Sequence, residues 1–297
     1  MTDDSRKHDS PGARLHSPGG VHAASTTACA QDAVCPACGE RSELVSGSVL
    51  WPELIHTWEI PPEWVRYFDQ REGTKCDKCG ASLRARQLAL ALVDTGYRLC
   101  RVHAGHLREL VSHPEFRRLH VAEINGAGAL HRHLKQLPEL RYSEYGGDRP
   151  DVPSEDLMGL SYPDDSFDLV ITSETLEHVP DAAAALSEIR RVLRPNGYHV
   201  FTVPVVWDRP VTRTRAHLEK GRVMHELPPC YHGMPGEELP DQLVFHEFGA
   251  DFPAFCEKAG FEVAVLRDEA NPALSAFITR CLPGQHMAPP IPLWVFL

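Results

Sequence analysis

From residue 115 onward, short apolar runs alternate with stretches of helical periodicity. Residues 119–124 and 167–172 are compact apolar runs of strand length; 141–144 is a shorter one, and 198–203 follows the turn Pro195-Asn196-Gly197. Between them, 130–137 and 182–193 space apolar residues every three or four positions, as a helix with one buried face requires. Residues 251–259 repeat the helical pattern before two more strands, 261–266 and 273–279. Strands alternating with helices of this length imply βαβ units, and hence an α/β chain with a mostly parallel, doubly wound sheet.

The flanking segments follow other rules. Residues 1–30 mix Asp, Ser, His, Gly and Pro without periodicity and read as a disordered tail. Residues 31–82 hold two cysteine pairs around an aromatic insert containing Trp51, Trp58, Trp64, Tyr67 and Phe68, and 83–114 read as a helical connector with helices over 83–93 and 106–111. The remaining span, 115–281, carries the βα pattern. Within it, residues 206–242 lose regularity and are too long for an ordinary connection, which predicts a lid over a binding site. The tail 282–297 is Pro-rich with an apolar end, suited to docking on the body or joining a second copy in a homo-oligomer.

Composition narrows the function classes. The 297 residues carry a formal net charge of −11, a poor match to a phosphate backbone, so nucleic acid is not the expected partner. No apolar run approaches the ~20 residues of a membrane helix. The first thirty residues lack the apolar stretch of a secretory signal, and a cytoplasmic chain is expected. The acidity is concentrated: residues 144–181 hold eleven acids against Arg149 alone.

Nine cysteines divide unevenly. Cys35-Pro-Ala-Cys38-Gly39 and Cys76-Asp-Lys-Cys79-Gly80 are matched units, while Cys29, Cys100, Cys230, Cys256 and Cys281 stand alone. A Cys-x-x-Cys turn sets two thiolates on one knuckle, and two knuckles complete a tetrahedron for zinc. Four thiolates leave no position for substrate or water, so the expected zinc at Cys35, Cys38, Cys76 and Cys79 is structural.

A second site lies in Val121-Ala-Glu123-Ile-Asn125-Gly126-Ala-Gly128, with Glu144 about 20 residues on. Small residues at a strand-to-helix turn let a cofactor approach the backbone, and an acid after the next strand can accept hydrogen bonds from ribose hydroxyls.

A third stretch is more specific. Asp156-Leu157-Met-Gly-Leu-Ser-Tyr-Pro-Asp-Asp-Ser-Phe-Asp168 leads into Ser173-Glu174-Thr-Leu-Glu177-His178-Val179, then Arg191-Val-Leu-Arg-Pro-Asn-Gly197. This order of motifs resembles the class I S-adenosylmethionine-dependent methyltransferases of the type 11 branch, over about 115–281. The resemblance implies a Rossmann-like fold, here with a small zinc-ribbon-like N-terminal domain, and S-adenosylmethionine as cofactor. By the same resemblance Glu123 would face the methionine amino group, Asn125, Gly126 and Gly128 would form the turn beneath the cofactor, and Glu144 would bind the ribose. Asp156 and Leu157 would flank the adenine, with Ser173 and Glu174 beside the transferred methyl. The chain departs from the family's E-x-G-x-G-x-G motif: Asn125, Ala127 and Ala129 occupy the glycine places. Asn tolerates left-handed backbone angles, which can preserve the turn.

His178 is the first candidate for a proton-accepting group, because histidine titrates near neutral pH. His225 and His232 lie in the expected lid and are further candidates. Arg84 and Arg86 read as a solvated helix face rather than an anion clamp. Three functions compete: methyl transfer to a small-molecule acceptor such as a secondary metabolite or sugar, RNA methylation with a zinc ribbon, and a fold retained for another reaction or for binding.

Overall fold

The computed structural model describes residues 34–146, 149–232 and 242–283. The expected disordered tail, residues 233–241 of the expected lid and nearly all of the C-terminal tail, with its homo-oligomer contact, lie outside the described residues. In chain order the elements begin with β1 (Leu44–Ser46), α1 (Pro52–Trp58), α2 (Pro62–Gly73), β2 (Thr74–Cys76), α3 (Leu83–Cys100) and α4 (Leu107–Leu110). Next come β3 (Val121–Ile124), α5 (His131–Leu134), β4 (Leu140–Ser143), β5 (Phe167–Ser173), α6 (Ala182–Val192) and β6 (Leu193–Thr202). The chain continues with β7 (Arg213–Thr214), β8 (Ala216–Glu219), β9 (Arg222–His225), β10 (His246–Glu247), α7 (Phe252–Lys258), β11 (Phe261–Arg267) and β12 (Ser275–Cys281).

Six strands form one sheet in the order β11-β12-β6-β5-β3-β4. β4, β3, β5 and β6 run parallel, and β12 enters antiparallel beside β6 with β11 antiparallel to it. The mostly parallel, Rossmann-like expectation holds. Successive residues feed opposite cores: Leu169 and Ile171 face one apolar cluster, Val170 the other, and Val200 and Phe201 divide in the same way. Burial on both faces explains why these strands read as continuous apolar runs. α3 covers one face through Leu88, Ala89, Ala91 and Leu92, while α6 and α7 cover the other through Leu186, Ile189, Phe252 and Cys256. The chain steps from β3 outward to β4, then crosses back to β5, so a crevice opens at the carboxyl ends of β3 and β5.

Four local expectations change. α3 runs seven residues past the expected 83–93: Thr95 returns its hydroxyl hydrogen to the Ala91 carbonyl (2.8 Å), and Gly96 lets Leu110 pack against the helix, where an added Cβ would lie 2.5 Å from Leu110 Cδ1. It packs on β6 and β12, so the segment read as a connector belongs to the core of the sheet. Pro195-Asn196-Gly197 is not a turn ahead of β6 but a bulge inside it, where pairing passes from Phe167–Leu193 to Leu169–Tyr198 and Asn196 takes a φ of 68°. The segment 206–242, expected without regular structure, contains the β8–β9 hairpin, turned at Lys220 and Gly221 with positive φ, and β7, which pairs with β10. β9 is exposed throughout, so it lacks the apolar alternation that marks a strand.

The aromatic insert forms α1 and α2. Trp64 and Phe68, one helical turn apart, are buried with Leu54, Trp58, Val206, Cys230 and Val244, and Trp64 Nε1 donates to Asp208 Oδ2 at 2.6 Å. The insert is therefore fastened to the segment after β6. Trp64→Ala is expected to destabilise the chain by about 3–5 kcal/mol, the usual cost of emptying a large aromatic site. Trp64→Phe, which leaves Asp208 unpaired but fills most of the space, should cost clearly less. Urea denaturation of both variants measures the difference.

Candidate active site

The two cysteine knuckles repeat one geometry. Cys35 N–H donates to Glu40 O and Gly39 N–H to Cys35 O; Cys76 N–H donates to Ala81 O and Gly80 N–H to Cys76 O, at 2.8–2.9 Å in each case. Gly39 and Gly80 hold φ of 75° and 72°, the left-handed angles that a tight loop around a metal requires. The four thiols are buried, with sulfurs within 4.8 Å of one another and Cys35 Sγ 3.8 Å from Cys79 Sγ. Zn–S bonds of about 2.3 Å at tetrahedral angles imply a sulfur–sulfur edge of about 3.8 Å. Burial raises the Cys38 and Cys79 thiols, whereas at Cys76 the Ser42 hydroxyl and then the N–H groups of Cys79 and Lys78 outweigh burial and draw the thiol down to about 6. The knuckles share an apolar cluster with α3 and the sheet, so the segment expected as a small separate ribbon-like domain is continuous with the main core.

A cleft of about 1170 Å³ opens at the carboxyl ends of the parallel strands. It exceeds the roughly 300–1,000 Å³ of a typical ligand pocket. Of the expected site residues, Asn125, Gly126, Asp156, Leu157, Ser173, Glu174, His178 and His232 all line it. Asn125 takes a φ of 55°, so an asparagine does hold the left-handed turn.

Glu123, Gly128, Glu144 and His225 do not line the cleft. Glu123 is fully buried beneath the turn, accepting from Ala127 N–H (2.8 Å) and pairing with His131 Nδ1 (2.7 Å). It buttresses the turn from below instead of facing a ligand. Gly128, with φ 58°, begins the short helical turn behind the loop. The Glu144 carboxylate accepts a hydrogen bond from the Tyr142 hydroxyl, while Tyr145 and Gly146 line the cleft beside it. His225 ends the exposed strand β9, outside the cleft.

The floor is charged. Glu174, at the end of β5 with φ 51°, accepts from both terminal nitrogens of Arg71 at 2.7 and 2.6 Å. Arg71 is buried, and also pairs with Glu72 and donates from Nε to Ala273 O. Arg84, at the start of α3, donates from Nε to Glu72 (2.8 Å) and from Nη1 to Ser173 Oγ (2.5 Å). Burial disfavours the Glu174 carboxylate, but Arg71 and then Arg84 outweigh that cost and hold its carboxyl down at about 2. The expectation of a solvated Arg84–Arg86 face is therefore overturned: Arg86 is buried and Arg84 lines the cleft.

The other half of the cleft is apolar and aromatic. Leu50, Trp51, Leu54, Trp58 and Phe68 form its wall, with Leu218 and Val223 of the β8–β9 hairpin opposite. His178 and His232 meet edge to face, 5.4 Å between ring centres, and Trp58 lies 4.8 Å from His232. His178 Nδ1 lies 3.0 Å from the Leu243 carbonyl, which can only accept, so Nδ1 carries a hydrogen and, in the neutral ring, Nε2 the lone pair. His232 is pushed down to about 3, chiefly by burial and then by His178, so its ring is neutral. Glu177 beside them is fully buried and its carboxyl is raised well above the usual range, first by desolvation and then by Glu174. Sequence reasoning assigned no role to Arg71, Glu177 or the α1–α2 wall. The spacing of Trp64, Phe68 and Arg71 along one helix face was the available signal.

Residues 127–201 match the protein-family model described as a methyltransferase domain. A 2-methyl-6-phytyl-1,4-hydroquinone methyltransferase of Synechocystis is 38% identical over 78 residues, 22% of this chain and 24% of that one. A 27-O-demethylrifamycin SV methyltransferase of Amycolatopsis mediterranei is 27% identical over 150 residues, 50% of each chain. A solved S-adenosylmethionine-dependent methyltransferase from Mesorhizobium loti aligns with TM-score 0.37 and 17% identity, over 55% of this chain and 90% of that one. The chain thus spans from about a quarter to half the length of these two curated relatives. Over residues 127–201 the chain is thus similar to methyltransferase domains. The family match includes Asp156 to His178 but neither the cysteine knuckles nor the lid.

The charged floor generates a pH prediction. A carboxyl at about 2 in the folded chain and about 4.3 when free contributes stability above pH 4.3 that is lost as pH falls toward 2. Glu174→Gln is expected to cost about 3 kcal/mol or more at pH 7, because it leaves Arg71 short of its bidentate partner. The gap between wild type and variant should narrow between pH 4.5 and 2.5, as read by urea denaturation at each pH.

Proposed function

We propose that the chain transfers a methyl group from S-adenosylmethionine to a small-molecule acceptor with a large apolar portion. One observation carries this reading: the methyltransferase domain opens into a single cleft with a polar, turn-lined half and an aromatic half. The polar half fits the cofactor. An added Cβ at Gly146 would meet nothing within 4 Å, and Asn125 keeps the backbone turned. Asn125 and Gly126 would lie under the methionine portion, with Asp156 and Leu157 at the adenine and Ser173 and Glu174 at the reacting end. Glu144 would reach the ribose by giving up its bond from Tyr142. When bound, the cofactor supplies a sulfonium methyl open to in-line displacement, for which alignment is the main requirement.

The chain's own residues align the acceptor. Trp51, Leu54, Trp58 and Phe68 would bury its apolar body and exclude water. His178, its Nδ1 anchored on Leu243, presents a lone pair where the nucleophile's proton must go. The hairpin at Leu218 and Val223 would close the cleft as part of the lid, and His232 would position the acceptor. A net charge of −11 and an apolar wall argue against RNA as acceptor. The unpaired thiols among the described residues suit a reducing, cytoplasmic setting.

We also infer one structural zinc at Cys35, Cys38, Cys76 and Cys79. It would hold together the loop that joins Arg71 to Arg84, and so secure the floor of the cleft. Metal analysis should find about one zinc per chain retained by the cysteine site. Cys38→Ser or Cys76→Ser should lose it and lower the melting temperature, since structural zinc contributes on the order of 10 kcal/mol of binding free energy. Full stability in a zinc-free quadruple-serine variant would defeat this reading.

S-adenosylhomocysteine is expected to raise the melting temperature, because a ligand that binds only the folded chain stabilises it by mass action. Asp156→Ala, which removes a carboxylate lining the cleft, should weaken this binding by about tenfold or more, the value of a charged hydrogen bond. Glu144→Ala should have the smaller effect, because Tyr142 already engages that carboxylate. Calorimetry without heat at millimolar ligand would mean that the domain has lost its cofactor.

A further inference from the structure

The geometry points to a divalent-cation site formed by Glu177, His178 and His232, at the acceptor end of the cleft and separate from the cysteine knuckles. The Glu177 side chain has no exposed surface, and neither carboxylate oxygen makes a hydrogen bond to another of the described residues. Buried carboxylates are normally paired or metal-bound, because the interior offers no water to solvate them. Two imidazoles lie beside Glu177. His178 Nε2 lies 3.8 Å from Glu177 Oε1. His232 Nε2 is buried and likewise has no hydrogen-bond partner among the described residues. One donor atom from each residue falls within 4.8 Å of the other two.

These spacings suit a common centre. A cation about 2.1 Å from each donor sets donor separations of roughly 3.0–4.2 Å, depending on the angle between ligands. The 3.8 Å separation falls inside that range, and the 4.8 Å limit leaves a closure of roughly half an ångström. Two imidazoles with one carboxylate favour Mn²⁺, Fe²⁺, Co²⁺ or Zn²⁺ over Mg²⁺ or Ca²⁺, which prefer oxygen ligands. The set differs from the four-thiolate site both in ligand chemistry and in leaving positions open. His178 and His232 line the cleft, so those positions face the acceptor.

Cation binding goes beyond the methyl-transfer reading and does not depend on it. Only the consequence for substrate rests on that reading: the cation would take an acceptor oxygen, ease loss of its proton and orient it, which selects a hydroxyl-bearing acceptor and O-methylation. His178 would then hold the metal while the metal-bound hydroxyl loses its proton to solvent.

Mn²⁺ tests the site, because its six-line electron paramagnetic resonance signal fades on binding and it competes poorly with zinc for thiolates. The full chain, zinc-loaded at the cysteines and stripped of weaker metals by a mild chelator, is titrated without cofactor or acceptor. One Mn²⁺ per chain at micromolar concentration is expected. Glu177→Gln and His232→Ala should each weaken binding by about tenfold or more, while S-adenosylhomocysteine affinity stays close to that of wild type. Should Glu177→Gln fail to fold, His232→Gln supplies the comparison. No Mn²⁺ binding by the wild type up to millimolar concentration would overturn the site, leaving Glu177 a neutral acid. Equal binding by wild type and folded variants would overturn its location. Loss of S-adenosylhomocysteine binding with Mn²⁺ binding intact would count against the cofactor assignment alone.

Discussion

The ion pair between Arg71 and Glu174 joins the two halves of the chain, and the cleft depends on it. Glu174 directly follows β5 in a left-handed backbone conformation, and Arg71 lies in the last turn of a helix between the cysteine knuckles. Neither group tolerates burial alone; removing one partner of such a pair costs about 3–5 kcal/mol. The segment from Cys76 to Ser82, which carries the second knuckle, connects Arg71 to Arg84. Two guanidiniums are thereby presented to one strand end from either side of a single loop. The cysteines act on the cleft through this loop, at a distance from the chemistry.

The same N-terminal insert supplies the acceptor wall and is fastened in turn by the segment after β6. Trp64 bonds to Asp208, Arg213 to Glu59 at 2.6 Å, and Arg215 to the Thr57 carbonyl at 2.9 Å. Arg215 and Arg209 converge on buried Glu247, which holds β7 against β10. Wall and hairpin are thus cross-braced over the strand ends. An aromatic surface that would otherwise be a liability in water is instead enclosed on one side of the cleft.

The sheet was legible because its strands are buried on both faces, which leaves uninterrupted apolar runs such as 167–172. The cysteine knuckles were legible because metal geometry demands a fixed spacing and a left-handed residue, met by Gly39 and Gly80. The cleft was legible where a motif places residues at or after a strand end, as with Ser173, Glu174 and His178. It was not legible where the chain reuses a residue. Glu123 and Glu144 sit at the motif positions, but His131 and Tyr142, which no motif specifies, occupy their carboxylates. The α1–α2 wall was missed for a different reason: its helices are short and begin at prolines, and their purpose appears only when residues 206–247 fold over them. Exposed β9 left no apolar alternation to read.

Charge arithmetic at the floor of the cleft narrows what can bind there. Arg71 and Arg84 balance Glu72 and Glu174, with each guanidinium in contact with a carboxylate. Glu177 is the carboxyl not in contact with either guanidinium, and burial holds its neighbour His232 neutral. In a low-dielectric pocket an uncompensated carboxylate either takes a proton or attracts a positive ligand. An anionic acceptor would face this surplus without a free guanidinium to meet it, since both arginines are already engaged. A sulfonium cofactor or a divalent cation would bring the missing positive charge.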